Sequence, residues 1–92
     1  MNAVRAHLYV SGVVQGVFYR ATARDEAIAR NMVGWVRNTG DGKVEILLEG
    51  VKENVDDMIK WCYKGPPSSK VTDIKIEWDK AKYDISDFKI IR

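Results

Sequence analysis

The chain has 92 residues, of which 46% are hydrophobic and 30% charged, and this composition excludes a disordered chain. The length predicts one domain over residues 1–92, and the formal net charge of +2 is too small to favour nucleic acid as a partner. No apolar run approaches the roughly 20 residues that span a bilayer. Cys62 is the only cysteine, which is typical of a reducing compartment. We therefore expect a cytoplasmic protein that binds neither nucleic acid nor membrane.

The first half of the chain predicts a strand, a helix and a hairpin. Residues 5–14 are rich in β-branched and aromatic residues and alternate in polarity, which predicts a strand. After a connection at residues 15–20, residues 21–32 are rich in alanine and charge and predict a helix. Residues 34–50 then predict two strands joined by a turn at residues 39–42, because Asp-Gly between alternating apolar runs is a strong hairpin signal.

A second helix is predicted over residues 53–64. Its apolar side chains recur at i, i+3, i+4 and i+7, namely at Val55, Met58, Ile59 and Cys62. We interpret Asn54 as the N-cap, with Asp56 and Asp57 in the first turn, where the helix dipole favours negative charge. The run Gly65-Pro66-Pro67 ends this helix.

Two further strands are predicted, over residues 70–79 and residues 83–92. The order is βαββαβ plus a terminal strand, with right-handed crossovers, and two helices in so short a chain can cover only one face of one sheet. The predicted fold class is therefore α+β, a ferredoxin-like two-layer sandwich with an antiparallel sheet. Many unrelated functions use this fold, so function has to be inferred from the residues of a site.

The connection between the first strand and the first helix has the residues of an anion-binding loop. It reads GVVQGVFYR from Gly12 to Arg20. A glycine-containing loop before a helix can turn several backbone N–H groups into one concavity, and the helix N-terminus adds further donors. The guanidinium of Arg20 can bind a phosphate bidentately. A plain turn with a surface arginine explains the same residues, and the loop alone leaves both interpretations open.

Asn38 is the second candidate, directly before the predicted turn. Strand interiors disfavour asparagine, so this residue either caps the turn or presents its amide for a purpose. The amide oxygen can accept a hydrogen bond from water, while the amide nitrogen can donate one to a phosphate.

Together, GVVQGVFYR and GWVRNTGDGKVEILLEG resemble two signatures of the acylphosphatase family, whose phosphate loop reads roughly Gly-x-Val-Gln-Gly-Val-x-Phe-Arg. The similarity continues through the second helix and Gly65-Pro66-Pro67 to Phe88-Lys89-Ile90, in one register over nearly the whole chain. The resemblance implies hydrolysis of the carboxyl–phosphate anhydride of a small acyl phosphate, without metal or other cofactor. Inorganic phosphate is then the product or an inhibitor, and we expect a monomer.

The resemblance also implies a role for each site residue. The phosphate cradle is formed by the backbone N–H groups of Gln15, Gly16, Val17, Phe18, Tyr19 and Arg20. The Arg20 side chain holds the phosphate oxygens, and the Asn38 side chain positions the attacking water. The chain departs from the family pattern at the C-terminus, where Ile90-Ile91-Arg92 replaces an ending with arginine one residue earlier. In the loop, Tyr19 replaces the usual phenylalanine or methionine, and Phe18 replaces an often small residue. We expect either side chain to narrow or reshape the mouth of the pocket.

Two rival interpretations differ in class. An RNA-recognition domain can have this fold, but it needs exposed aromatic residues flanked by basic ones on its central strands, and the first strand offers only Tyr9. A domain that retains the phosphate site as a sensor, without turnover, is the other rival. His7 has no partner at metal-ligand spacing and Cys62 lies on an apolar helix face, so we predict structural roles for both.

Overall fold

Two helices cover one face of a five-stranded sheet in a computed structural model that describes residues 2–92. The strands are β1 (Ala3–Val13), β2 (Val33–Asn38), β3 (Val44–Val51), β4 (Lys70–Lys80) and β5 (Phe88–Ile90). The helices are α1 (Tyr19–Ala29) and α2 (Lys52–Lys64).

The sheet has the order β4-β1-β3-β2-β5, and this confirms the predicted ferredoxin-like sandwich. The first four strands pair antiparallel. The terminal strand β5 pairs parallel with β2, so the complete sheet is mixed, and the prediction of an antiparallel sheet is wrong for this strand. This follows from the topology, because residues 81–87 carry the chain from one sheet edge to the other and reverse its direction. The strand β3 lies between β1, which leads into the candidate anion loop, and β2, which ends at Asn38.

The core lies between the sheet and the two helices. Alternate residues of β1 and β3 face the helices and are fully buried: Ala6, Leu8, Val10, Val44, Ile46 and Leu48. The predicted apolar face of α2 is confirmed, since Val55, Met58, Ile59 and Cys62 are all buried. Helix α1 contributes Ala23 and Ala27, whose small side chains allow its backbone to approach the sheet closely.

Both ends of α1 differ from the sequence prediction. The helix begins at Tyr19 instead of residue 21, so that Arg20 lies in its first turn. It ends at Ala29 instead of residue 32, because Asn31 adopts the left-handed conformation (φ 59°) that terminates helices. The backbone N–H of Met32 still donates to the carbonyl of Ala27, at 2.9 Å.

The predicted N-cap of α2 is wrong. The helix begins at Lys52, and the cap position is held by Val51 without a side-chain hydrogen bond. Strand β3 runs directly into the helix, and the backbone N–H of Lys52 donates to the carbonyl of Asn2 at 2.8 Å. Asn54 therefore lies inside the helix, where its side chain caps nothing. The acidic residue of the first turn is Glu53, in place of the predicted aspartates.

The last two strands also differ in detail from the prediction. The final strand is confined to Phe88–Ile90 instead of residues 83–92. In β4, Trp78 follows the predicted alternation but is 47% exposed, because β4 is an edge strand. The ammonium group of Lys52 lies 4.8 Å from the centroid of the Trp78 ring.

Glu49 anchors residues 81–87 against the face of the sheet that the helices do not cover, which we call the open face. Its carboxylate is buried and accepts hydrogen bonds from Arg5 Nε at 2.8 Å and from the backbone N–H groups of Lys82 and Tyr83 at 3.0 Å. Burial by itself would raise the pKa of Glu49, but these donors outweigh burial and the pKa is lowered. Because the folded pKa lies below the unfolded value of about 4.3, this stabilisation is complete above that pH. It is lost as the pH falls through the folded pKa.

We therefore expect Glu49→Gln to lower the free energy of unfolding at pH 7 by about 2 kcal/mol, because hydrogen bonds to a charged group are lost. The decrease of the free energy of unfolding as the pH falls below about 4 should also become smaller. Denaturant titrations across pH measure both effects. Glu77→Gln removes an exposed carboxylate from β4 and should change stability by less than about 0.5 kcal/mol. If the free energy of unfolding of Glu49→Gln decreased at low pH as steeply as that of the unmodified chain, the role given to this carboxylate would be contradicted.

Candidate active site

The connection between β1 and α1 contains a backbone segment of unusual conformation, which we call the cradle segment (residues 15–20). Gly16 (φ 73°) and Phe18 (φ 64°) have positive φ, whereas Val17 and Tyr19 do not. Such alternation turns successive N–H groups towards the same side and forms an anion-binding concavity. A left-handed conformation costs a non-glycine residue such as Phe18 about 1–2 kcal/mol. The fold tolerates this cost because the two neighbours of Phe18 are held in place: Val17 packs against the core and Tyr19 is buried in it.

The N–H groups of the cradle segment are without acceptors. None of them, from Gln15 to Arg20, donates a hydrogen bond within residues 2–92, and the first bond of α1 runs from Thr22 N to the carbonyl of Phe18. The unpaired donors thus coincide with the N-terminus of α1, where the helix dipole is positive. This arrangement favours an anion with several oxygen acceptors, such as a phosphoryl group.

The Arg20 side chain is exposed in the first turn of α1. Its guanidinium forms no ion pair with any carboxylate of residues 2–92, whereas Arg24, one turn further along the helix, pairs with Asp25 at 3.2 Å. An unpaired guanidinium beside unpaired N–H groups adds a full positive charge to the same region. Its planar set of donors matches two oxygens of a phosphate.

The Asn38 side chain lies at the end of β2, on the face of the sheet that the helices cover. This follows from its position two residues after the buried Val36, since side chains alternate along a strand. The amide oxygen Oδ1 is buried and accepts no hydrogen bond from any of the described residues. Buried polar atoms are nearly always hydrogen-bonded, so this oxygen provides a place for an external donor such as water.

These groups line one cleft of about 330 Å³, at the small end of the range for small-molecule sites. Five of the residues that the sequence indicated contribute to its lining: Gly16, Phe18, Tyr19, Arg20 and Asn38. Gln15 and Val17 are not among the lining residues. The remaining wall is apolar and was not anticipated: Val14, Ala21 and Ile90. Ile90 is present because β5 pairs with β2, a contact that no local sequence signal predicts.

The two loop residues that depart from the family pattern have different surroundings. Phe18 is 81% exposed at the cleft, where its ring can shape the entrance. Tyr19 also lines the cleft, but its side chain is buried and its hydroxyl donates to the carbonyl of Cys62 at 2.6 Å. Burial raises the pKa of Tyr19, and it raises the pKa of the Cys62 thiol to about 12. The prediction that Cys62 is a core residue is confirmed.

No metal-binding cluster is found among residues 2–92, in which three or more His, Cys, Asp or Glu side chains would have to converge. His7 lies on the open face of the sheet, with Nε2 at 2.6 Å from the carboxylate of Glu45, as part of a structural pair. None of the helices in this described range is long and apolar enough to cross a membrane.

A family model, curated relatives and solved structures are similar to this chain. Residues 6–90 match the family model described as Acylphosphatase. An acylphosphatase of Pelotomaculum thermopropionicum is 44% identical over 90 residues, with 98% of each chain covered. One of Haloquadratum walsbyi is 49% identical over 78 residues, covering 85% of this chain and 84% of the relative. The crystal structure of acylphosphatase from Bacillus subtilis superimposes with a TM-score of 0.94 at 36% identity, covering 97% of this chain and 99% of that one.

Proposed function

The chain belongs to the acylphosphatase family and is a hydrolase, and on this premise we propose that the cleft of Arg20 and Asn38 hydrolyses acyl phosphates to a carboxylate and inorganic phosphate. The observation that carries the proposal is the buried Asn38 Oδ1 without a donor, in the same cleft as the unpaired Arg20 guanidinium and the cradle segment. The Asn38 oxygen needs a hydrogen-bond donor, whereas the Arg20 guanidinium and the cradle segment need an anion. Water and a phosphoryl group satisfy both requirements.

The cradle segment and Arg20 bind the phosphoryl group. Backbone N–H groups that are held by the fold need not reorganise when charge accumulates on the phosphoryl oxygens, which makes them effective at stabilising a transition state. Arg20 contributes a bidentate contact and neutralises charge. Since these donors can supply the stabilisation that a divalent cation supplies in other phosphoryl-transfer enzymes, we propose a metal-independent reaction.

The Asn38 amide orients the attacking water by accepting one of its protons in a hydrogen bond to Oδ1. The water oxygen attacks phosphorus in line, the bond from phosphorus to the bridging oxygen breaks, and the carboxylate leaves with the electron pair. No carboxylate or imidazole is found among the described residues that line the cleft. We therefore assign the second water proton to an oxygen of the phosphoryl group. A carboxylate is a weak base and leaves without protonation, so a general acid is not required.

The RNA-binding rival receives little support from the open face of the sheet. His7 and Tyr9 are stacked there, with ring centroids 4.7 Å apart, and Trp35 lies edge-on to His7. These rings contact one another, and the neighbouring carboxylate of Glu45 is buried against His7 and Arg37. On the central strands, the rings that base stacking requires are therefore packed on one another and flanked by a carboxylate.

The proposed reaction is tested with two substrates of similar shape, benzoyl phosphate and phenyl phosphate. After treatment with a chelator, the protein should release phosphate from benzoyl phosphate, whose leaving group has a pKa of about 4, near that of a carboxyl side chain. Phenyl phosphate, with a leaving group near pKa 10, should bind without turnover because the cleft offers no general acid. Inorganic phosphate should inhibit competitively. Binding of phosphate without hydrolysis of benzoyl phosphate would instead support a sensor.

A further inference from the structure

We propose that the side chain of Gln15 is a positioning residue that holds Asn38 at the correct distance from the cradle segment. This inference rests on the proposed function, and it adds to the backbone role that the family resemblance gives this residue. It concerns the side-chain amide, which is half-buried and does not line the cleft.

The Gln15 amide connects the cradle segment to the β2–β3 hairpin. Its Nε2 atom donates to the backbone carbonyls of Thr39 and Lys43, each at 2.9 Å, so that both amide protons are used. Because carbonyl oxygens only accept hydrogen bonds, the amide must face them with its NH2 group, and this fixes its orientation. Thr39 and Lys43 also close the turn on each other, since the N–H of Thr39 donates to the carbonyl of Lys43 at 2.9 Å. The amide therefore joins a turn that is closed by its own backbone hydrogen bond.

The strand order makes this connection important. The cradle segment follows β1 and Asn38 ends β2, but β3 lies between these two strands. Among the hydrogen bonds of residues 2–92, only those from Gln15 join the cradle segment to residues 38–43. Thr39, one of the two acceptors, directly follows Asn38 in the chain. The Gln15 amide is thus the direct link between the group that binds phosphate and the group that orients water.

A small displacement of Asn38 relative to the cradle segment should slow the reaction strongly, because a misplacement of 1 Å can cost about 10²-fold in rate. Gln15→Met retains the length of the side chain and removes both donors. We expect kcat for benzoyl phosphate to fall by about 10-fold to 10²-fold. The inhibition constant for inorganic phosphate should change by less than about 3-fold, since the backbone donors and Arg20 remain. Gln15→Glu should be more harmful, because it places a carboxylate against two carbonyl oxygens.

A double-mutant cycle with Asn38→Ala separates positioning from general structural damage. If Gln15 acts through Asn38, adding Gln15→Met to Asn38→Ala should lower kcat by less than about 2-fold further. Ser69→Ala serves as a control, since it removes another side-chain hydrogen bond to a backbone carbonyl, that of Pro66 at 2.7 Å, outside the cleft. This control should leave kcat and phosphate inhibition unchanged.

The outcomes distinguish this inference from the function on which it rests. Full activity in Asn38→Ala would overturn the role of Asn38 in water positioning and the inference with it. If Asn38→Ala is slowed as expected, but its residual kcat falls by the full factor again when Gln15→Met is added, the inference alone would be overturned. Equal losses of kcat and phosphate binding in Gln15→Met would also overturn it, because the amide would then support the cradle segment instead of Asn38.

Discussion

Replacing Arg20 with alanine should reduce kcat/KM for benzoyl phosphate by about 10³-fold, the range found when a charged or preorganised donor to a transition state is removed. Among the described residues that line the cleft, Arg20 is the one that carries a positive charge. Within residues 2–92 its guanidinium has no carboxylate partner. Its removal leaves the cradle segment in place, so some phosphate binding should persist. Because the side chain is exposed, the free energy of unfolding should change little. Steady-state kinetics and denaturant titration measure the two quantities.

Two further variants sharpen the test of Arg20. Arg20→Lys retains the charge but loses the planar bidentate contact, and we expect its activity to lie between those of Arg20→Ala and the unmodified protein. Arg24→Ala removes an arginine from the same helix that is paired with Asp25, and it should change kcat/KM by less than about 2-fold. Equal losses in Arg20→Ala and Arg24→Ala would mean that net positive charge near the helix matters, and that a specific contact from Arg20 does not.

Replacing Asn38 with alanine should lower kcat by at least about 10²-fold, while the inhibition constant for inorganic phosphate should change by less than about 3-fold. The expected separation arises because the amide oxygen is directed at water, whereas the phosphoryl group is held by the cradle segment and Arg20. Steady-state kinetics of the purified variant, with and without inorganic phosphate, give kcat and the inhibition constant. Asn38→Asp should retain an acceptor for water. It should also weaken phosphate binding, since it places a carboxylate beside the negatively charged phosphate.

Asn54→Ala is the matched control for Asn38→Ala. Asn54 lies in α2, caps no helix, and is outside the cleft, so its removal should affect neither constant. If Asn38→Ala were to lose phosphate binding and kcat by the same factor, Asn38 would be a phosphate ligand. The water-positioning role would then be refuted.

The helix boundaries show where prediction from local sequence is limited. The sequence placed Arg20 in the connection, whereas the structure places it in the first turn of α1. The alanine-rich pattern begins at Ala21, and nothing local indicates that Tyr19 is buried with its hydroxyl bonded to α2. The same limit applies to Asn54, a favourable cap residue that is bypassed because β3 runs directly into α2. In both cases a contact between distant segments outweighs a local preference worth about 1 kcal/mol.

By itself, the sequence determined the order of elements, the apolar faces and the residue types of the site, because periodicity and turn preferences act over a few neighbouring positions. It indicated Arg20 and Asn38 as candidates through their positions beside a glycine loop and a turn. Only the tertiary structure placed β3 between the two strands that carry them, directed the Gln15 amide to the hairpin, and brought Ile90 into the cleft. These features depend on strand order and side-chain packing between residues far apart in the chain, which local preferences do not specify.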